Sequence, residues 1–161
     1  MTEPRASAPI LDCSAVDPAV VVGLQQLTAA YWMCADDSAA GIETLFTEDG
    51  LLTLGSLSLT GRIAIREFFR QREETMRTAG RTTRHAACTF LVIPAGDGRA
   101  TIRSTVLVFS GIGALPLPAA APSGIADFTD VCVRNAAGRW QFASRVGRTV
   151  FIGAEAPSFA R

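Results

Sequence analysis

The chain has 161 residues, of which 48% are apolar and 19% charged, and its 15 Lys+Arg balance its 15 Asp+Glu. This length is typical of one domain and is sufficient to bury a hydrophobic core. The formal net charge of zero removes the electrostatic case for binding nucleic acid or an anionic membrane surface. No run of about 18 apolar residues occurs, so no segment is predicted to span a bilayer.

The chain ends are predicted to be tails around a single domain. Residues 1–16, rich in Ala, Pro and Ser, are expected to form a flexible tail, the domain should cover 17–153, and 154–161 should form a second tail. The N-terminus lacks the apolar segment of a signal peptide. Four cysteines are far apart and form no C-x-x-C pair: Cys13, Cys34, Cys88 and Cys132. Such isolated thiols are typical of a reducing compartment, so a cytoplasmic protein is expected.

The first predicted helix has a clear start. Asp17 can cap the free N–H groups, and Pro18 suits the first helical position. Apolar residues then recur at i, i+4, i+7 and i+11 as far as Tyr31, which predicts one buried stripe. This helix should run to about Cys34.

Two further helices are predicted before the sequence changes its period. The segment 36–38, Asp-Asp-Ser, offers caps for a short second helix. Its inner face would consist of Ala39, Ile42, Leu45 and Phe46. Residues 48–50 are predicted to be a turn, and 51–59 a hairpin broken at Gly55-Ser56. A third helix should begin after Gly61 and stop at Gly80.

After Gly80 the pattern alternates with the period of a β-strand. Four strands are predicted in two hairpins: Arg84–Ile93 with Arg99–Phe109, and Ala126–Arg134 with Arg139–Phe151. Between the hairpins, 111–124 carries three prolines and no charge, which predicts a long loop. Helices followed by a four-strand meander predict an α+β fold with the helices packed on one sheet face.

Three stretches, in this order, resemble the SnoaL-like branch of the nuclear transport factor 2-like superfamily. They are Tyr31–Gly50, then Gly61–Phe69, then a set formed by Thr83–His85, Asp97–Ala100 and Gly138–Arg145. The resemblance implies a cone-shaped fold, in which three N-terminal helices pack on a strongly curved, mostly antiparallel sheet and enclose one pocket. It also implies a homodimer. Because this fold hosts enzymes and non-enzymes alike, function has to be argued from the pocket.

The catalytic candidates are His85, Tyr31 and Asp36. His85 is the one histidine of the chain, and imidazole exchanges protons near neutral pH. The resemblance to scytalone dehydratase and bile-acid dehydratase implies that the histidine of this strand is the pocket base. The spacing of Tyr31 and Asp36 resembles the Tyr and Asp of bile-acid dehydratase. Asp36 lies near a helix C-terminus, where the helix dipole opposes its charge, so it should be solvated or paired with a donor such as His85.

A different interpretation of these residues stays open. Tyr31 could simply pack in the core, and Asp36 could cap the second helix. If the three side chains meet, His85 would abstract a proton, Asp36 would orient the imidazole, and Tyr31 would donate a hydrogen bond. That unit would dehydrate or isomerise a mostly apolar, possibly polycyclic or aromatic molecule without a cofactor or metal.

Four further residues are candidates for binding the substrate: Ser110, Thr129, Asp127 and Arg145. Relative to scytalone dehydratase, Ser110 takes the place of a second histidine, and Thr129 falls near a carboxamide. Alternation puts Asp127 and Asp130 on opposite strand faces, so at most one enters the pocket. Asp127 is favoured, while Asp130 should meet Arg134, Arg145 or solvent. Arg145 could bind a substrate carboxylate or close a salt bridge at the rim, and Met33 and the Phe side chains are expected to line the cavity.

Two functions are therefore favoured, and a cyclase or hydrolase that uses other pocket residues is a third alternative. The first is a small cofactor-independent lyase or isomerase. The second is a non-catalytic small-molecule-binding or assembly protein, like the β subunit of a ring-hydroxylating dioxygenase. The enzyme requires Tyr31, Asp36 and His85 to converge on one enclosed cavity.

Overall fold

A computed structural model of the protein describes residues 16–153; the predicted C-terminal tail, and the N-terminal tail up to residue 15, lie outside the described residues. The helical elements are α1 (Pro18–Asp36), a short 3-10 helix (Ile42–Leu45) and α2 (Arg62–Thr78). The strands are β1 (Phe46–Leu54), β2 (Leu57–Thr60), β3 (Arg81–Pro94), β4 (Arg99–Ile112), β5 (Gly124–Arg134) and β6 (Trp140–Ile152). No helix among these is long and apolar enough to cross a membrane.

Helix α1 begins as its sequence predicts. The Asp17 side chain accepts a hydrogen bond of 2.9 Å from the Ala19 N–H, with Pro18 in the first turn. The predicted stripe is buried at Leu24, Leu27 and Tyr31. The helix ends at Asp36, two residues beyond the expected Cys34, so that this carboxylate lies on its last turn.

The predicted second helix is wrong. Only one 3-10 turn forms, and Phe46 already begins β1, where it pairs with Phe142 of β6. Ile42 and Phe46 are nevertheless fully buried, so the inward positions were recognised but their conformation was not. Long-range strand pairing has overridden the local helical pattern. The predicted turn at 48–50 is likewise part of β1, where the pairing register shifts.

One mixed sheet of six strands forms the body of the fold. The strand order is β2-β1-β6-β5-β4-β3, with β3 to β6 an antiparallel meander and β1 parallel to β6. Register shifts mark bulges in β3 against β4 and in β6 against β5. Bulges bend strands and increase their twist. The curled sheet leaves β2 and β3 as edges. Helices α1 and α2 both contact β3, and they cover the concave face of the sheet.

A charged pair is buried in the core beneath the helices. Arg145 Nη1 lies 2.7 Å from Asp130 Oδ2, and neither side chain is exposed at all. The guanidinium carbon lies 4.2–4.8 Å from the centres of four aromatic rings: Tyr31, Trp32, Phe128 and Phe142. Burial raises the pKa of Asp130 to about 6, against the opposing charge of Arg145. The ion pair and the aromatic contacts therefore offset only part of the cost of removing two charges from water.

The variant Asp130→Asn tests this pair. It leaves the Arg145 charge buried without its counter-ion, so we expect the free energy of unfolding to fall by roughly 3–5 kcal/mol in a urea titration at pH 7. Asp127→Asn is the matched control, because this half-exposed carboxylate of the same strand lies 3.5 Å from Arg148. It should cost less than about 1 kcal/mol. Equal losses in the two variants would contradict the assigned role of the pair.

Candidate active site

The helices and the concave face of the sheet form a half-open cavity of about 520 Å³. This volume lies within the range of small-molecule sites. Most of the wall is apolar, with contributions from Leu54, Phe68, Phe69, Val108, Ile125 and Phe128. The polar side chains come mainly from α1, α2 and the first half of β3.

His85 lies in this wall because of its position in β3. Alternation along the strand turns Arg81, Thr83 and His85 towards the cavity, while Arg84 points to solvent and pairs with Asp37. The His85 side chain is only 12% exposed. Its Nδ1 lies 2.6 Å from Asp36 Oδ1. An ionised carboxylate only accepts hydrogen bonds, so Nδ1 carries the proton and Nε2 is left to exchange one with a bound molecule.

Asp36 is held by three donors. Besides His85 Nδ1, it accepts hydrogen bonds of 2.8 Å from the Thr83 hydroxyl and from the backbone N–H of His85. Burial alone would raise the pKa of Asp36, but the imidazole and these hydrogen bonds hold it below its ordinary value. The three donors also offset the unfavourable helix dipole at the end of α1. Asp36 is therefore ionised at neutral pH and fixes the orientation of the imidazole.

The His85 ring is clamped from a second direction by Trp32. The two rings are stacked, with centres 4.5 Å apart and planes inclined by 15°. Trp32 in turn meets Phe128 edge to face, at 5.2 Å and 87°. One hydrogen bond at the edge of the imidazole and one stack on its face together leave it little freedom to rotate.

Tyr31 borders the same cavity one helical position before Trp32. Its ring is 1% exposed and meets Trp32, Phe69 and Phe142 edge to face, at 4.8–5.9 Å. Burial raises the pKa of Tyr31 to about 12, although the charges of Arg145 and Arg72 oppose the shift. The phenol therefore stays protonated at neutral pH and can act as a donor.

Two cavity arginines were not recognised from the sequence. Arg72 of α2 donates to the Ala35 carbonyl and, over 3.2 Å, to the Thr83 hydroxyl, which joins it to the Asp36–His85 unit. Arg81 donates to the Ser110 hydroxyl at 2.7 Å. The sequence does contain a signal for Arg72, because this residue lies on the apolar stripe of its helix. A charged side chain at such a position is rarely buried without a partner.

The four predicted substrate-binding residues are divided by the structure. Ser110 lines the cavity, whereas Arg145 is sealed in the core against Asp130. Asp127 and Thr129 lie on the outer face of β5, because Ala126 and Phe128 are the residues that point inward. Asp127 instead accepts a hydrogen bond of 3.0 Å from Thr105. The predicted contact of Asp127 and Thr129 with a ligand in this cavity is therefore wrong.

Two other expectations concerned neighbouring residues. Met33 is 66% exposed and does not line the cavity, since it lies on the solvent side of α1. Several Phe side chains do line it, as expected: Phe68, Phe69, Phe128 and Phe151.

Solved bacterial structures share this fold. ActVI-ORFA from Streptomyces coelicolor is 21% identical, with a TM-score of 0.74 over 88% of this chain and 100% of that one. A candidate scytalone dehydratase from Novosphingobium aromaticivorans is 20% identical, with a TM-score of 0.67 over 87% and 96% of the two chains. A Catenulispora acidiphila protein in complex with S-DNPA is 24% identical, with a TM-score of 0.66 over 83% and 95%. At these identities the likeness shows the fold alone.

A sequence family is identified as well. No functionally curated protein matches the chain significantly. The sequence profile of the SnoaL-like domain matches residues 21–146, a span that includes Tyr31, Asp36 and His85. Because this match covers most of the chain, the protein belongs to the SnoaL-like domain family.

Proposed function

We propose that this protein is a cofactor-independent lyase or isomerase that moves a proton on a small, largely apolar molecule. The observation that carries the proposal is the Asp36–His85 pair, 2.6 Å apart and set in the wall of an apolar cavity. A carboxylate that fixes the tautomer of an imidazole is a recurrent arrangement for general base catalysis.

The proposed reaction begins at His85. Its Nε2 takes a proton from a carbon next to a carbonyl group or a double bond, and the ring becomes an imidazolium. Asp36 stabilises that positive charge, because it is ionised and accepts the hydrogen bond from Nδ1. In dehydration the electron pair of the broken C–H bond forms the new double bond, and hydroxide leaves. In isomerisation the proton returns to a different carbon.

Tyr31 supplies the acid in this scheme. Its phenol stays protonated because burial raises its pKa to about 12. It donates a hydrogen bond to the leaving hydroxyl group or to the oxyanion that forms on a carbonyl oxygen. The departing hydroxide takes up a proton and leaves as water. The proton comes from the imidazolium, or from Tyr31, whose phenolate then regains a proton from the imidazolium.

Replacement of the base is the first test. A bicyclic β-hydroxy ketone that yields a naphthol on loss of water is a suitable probe, and naphthol absorbance reports turnover. We expect His85→Gln to lower kcat at least about 100-fold, since general base catalysis contributes that much or more. Arg84→Gln is the matched control, because Arg84 precedes His85 but points to solvent, and it should retain full turnover.

The alternative function predicts a different result. A non-catalytic binding or assembly protein would bind such molecules without converting them, and His85→Gln would then equal the wild type.

The homodimer that the family resemblance implies stays a prediction as well.

The second test separates Tyr31 as a donor from Tyr31 as a core residue. Tyr31→Phe keeps the ring that packs against Trp32, Phe69 and Phe142 and removes only the hydroxyl group. We expect the free energy of unfolding to change by less than about 1.5 kcal/mol, while kcat falls at least about tenfold. An unchanged kcat would assign Tyr31 to packing alone.

The third test concerns the charge on Asp36. The folded-state pKa of Asp36 lies below its ordinary value, so the ionised group stabilises the fold at every pH above about 4, the unfolded value. Asp36→Asn should therefore lower the free energy of unfolding by about 1–3 kcal/mol at pH 7. The difference from the wild type should shrink as the pH falls below about 4.

Urea titrations between neutral and acid pH measure this difference. The control is Asp37→Asn, which alters an exposed carboxylate that pairs with Arg84 at 3.2 Å, and it should have little effect at any pH. A deficit in Asp36→Asn that persists unchanged in acid would show that its charge is not what stabilises the fold.

A further inference from the structure

Two cavity residues carry charge that the proposed proton transfer does not use. Arg72 and Arg81 both line the cavity, together with His85, yet none of the residues that line it is Asp or Glu. The wall of an otherwise apolar cavity therefore has an excess of positive charge.

Neither arginine is neutralised by an ion pair within residues 16–153. Six other arginines of that range lie within 4.0 Å of a carboxylate: Arg62, Arg70, Arg77, Arg84, Arg145 and Arg148. Arg72 and Arg81 instead donate to neutral oxygens. Asp36 is linked to Arg72 by the Thr83 hydroxyl, which donates to Asp36 and accepts from Arg72. Its negative charge partly opposes the effect of burial on the pKa of Arg72, but the two side chains form no ion pair within 4.0 Å.

Both guanidinium groups retain hydrogen-bond capacity. A guanidinium has five N–H donors; the described contacts of Arg72 go to two oxygens, and those of Arg81 to one. Arg72 is also substantially buried, and this burial lowers its pKa by disfavouring the charged form. A charge kept under that penalty gains most from an anion that enters the cavity.

The register of β3 gives the distance from this charge to the base. Arg81, Thr83 and His85 follow one another on the inner face, and the partner of Thr83 on β4 is Ser110. The Arg81 guanidinium donates to Ser110, and Arg72 donates to Thr83, so both charges lie level with Thr83. At about 3.3 Å per residue, this level is about 7 Å from His85 along the strand. A ligand that touches the arginines and His85 together has to span about this distance and be largely apolar where it meets the rest of the wall.

We propose that the cavity binds an apolar carboxylic acid, whose carboxylate is held by Arg72 and Arg81 and whose ring system extends over His85. The planar guanidinium matches the two oxygens of a carboxylate, and the apolar wall matches the ring body. The inference deepens the proposed function by naming its substrate class, and it rests on that function only for the orientation of the rings. Binding of the acid requires no turnover.

The test compares two probes of nearly equal shape, naphthylacetate and its neutral amide, by calorimetric titration. We expect the wild type to bind the acid at least about tenfold more tightly than the amide, as is typical of a hydrogen-bonded charge. Arg72→Gln and Arg81→Gln should each remove most of this preference and leave the affinity for the amide unchanged. Arg103→Gln is the control, because Arg103 is exposed on the outer face of β4, and it should retain the preference.

Several results would overturn the inference. The inference fails if the wild type binds acid and amide with equal affinity, or if it binds neither probe saturably. It also fails if Arg72→Gln and Arg81→Gln both keep the full preference for the acid. If Arg72→Gln fails to fold, because Arg72 joins α2 to the end of α1, Arg81→Gln decides alone.

The fate of the proposed function is separate. The variant His85→Gln should keep the preference for the acid even if it has lost turnover. A preference for the acid in a protein that converts no β-hydroxy ketone would refute the enzyme and leave the acid-binding site standing. If turnover depends on His85 but both probes bind equally, the enzyme stands and the acid-binding site is refuted.

Discussion

The hydrogen bonds of Asp36 join the end of the first helix to the strand that carries His85. This one carboxylate accepts from the His85 ring, the His85 backbone and the Thr83 hydroxyl, so the position of α1 on the sheet and the orientation of the imidazole are set together. The stack of Trp32 on His85 comes from the same helix. The concave side of the sheet thus gains a rigid polar unit in a mostly apolar wall, and the proposed proton transfer depends on that unit.

The inner face of the sheet carries positive charge in two different states. In the core, Arg145 is neutralised by Asp130 and surrounded by aromatic rings, so it supports the floor of the site without meeting a ligand. In the cavity, the hydrogen bonds that Arg72 and Arg81 donate within residues 16–153 go to neutral oxygens. A buried charge that is already paired contributes to the fold, whereas one that is not leaves interaction energy for a ligand. Arginine therefore has different roles in the core and in the cavity.

Much of this arrangement follows from local sequence patterns. The cap at Asp17, the buried stripe up to Tyr31 and the alternation of the hairpins all act over a few residues, and the structure agrees with them. The parallel pairing of Phe46 with Phe142 joins distant segments, so a local pattern wrongly predicted a helix there. Alternation separates the two faces of β5 but does not say which is inside, and Asp127 was therefore assigned to the wrong face. The sequence left Asp36 either solvated or paired with a donor such as His85. It could not decide between them, because their contact depends on how α1 docks on the sheet.

The state of His85 is the most direct test of this account. It is the one histidine of the chain, so in a tag-free protein its ring nitrogens give unambiguous ¹⁵N resonances. We expect the neutral ring to carry its proton on Nδ1 and Asp36→Asn to weaken this preference, because the carboxylate acceptor is lost. A neutral ring protonated on Nε2, with the same spectrum in Asp36→Asn, would contradict the assignment of His85 as the base.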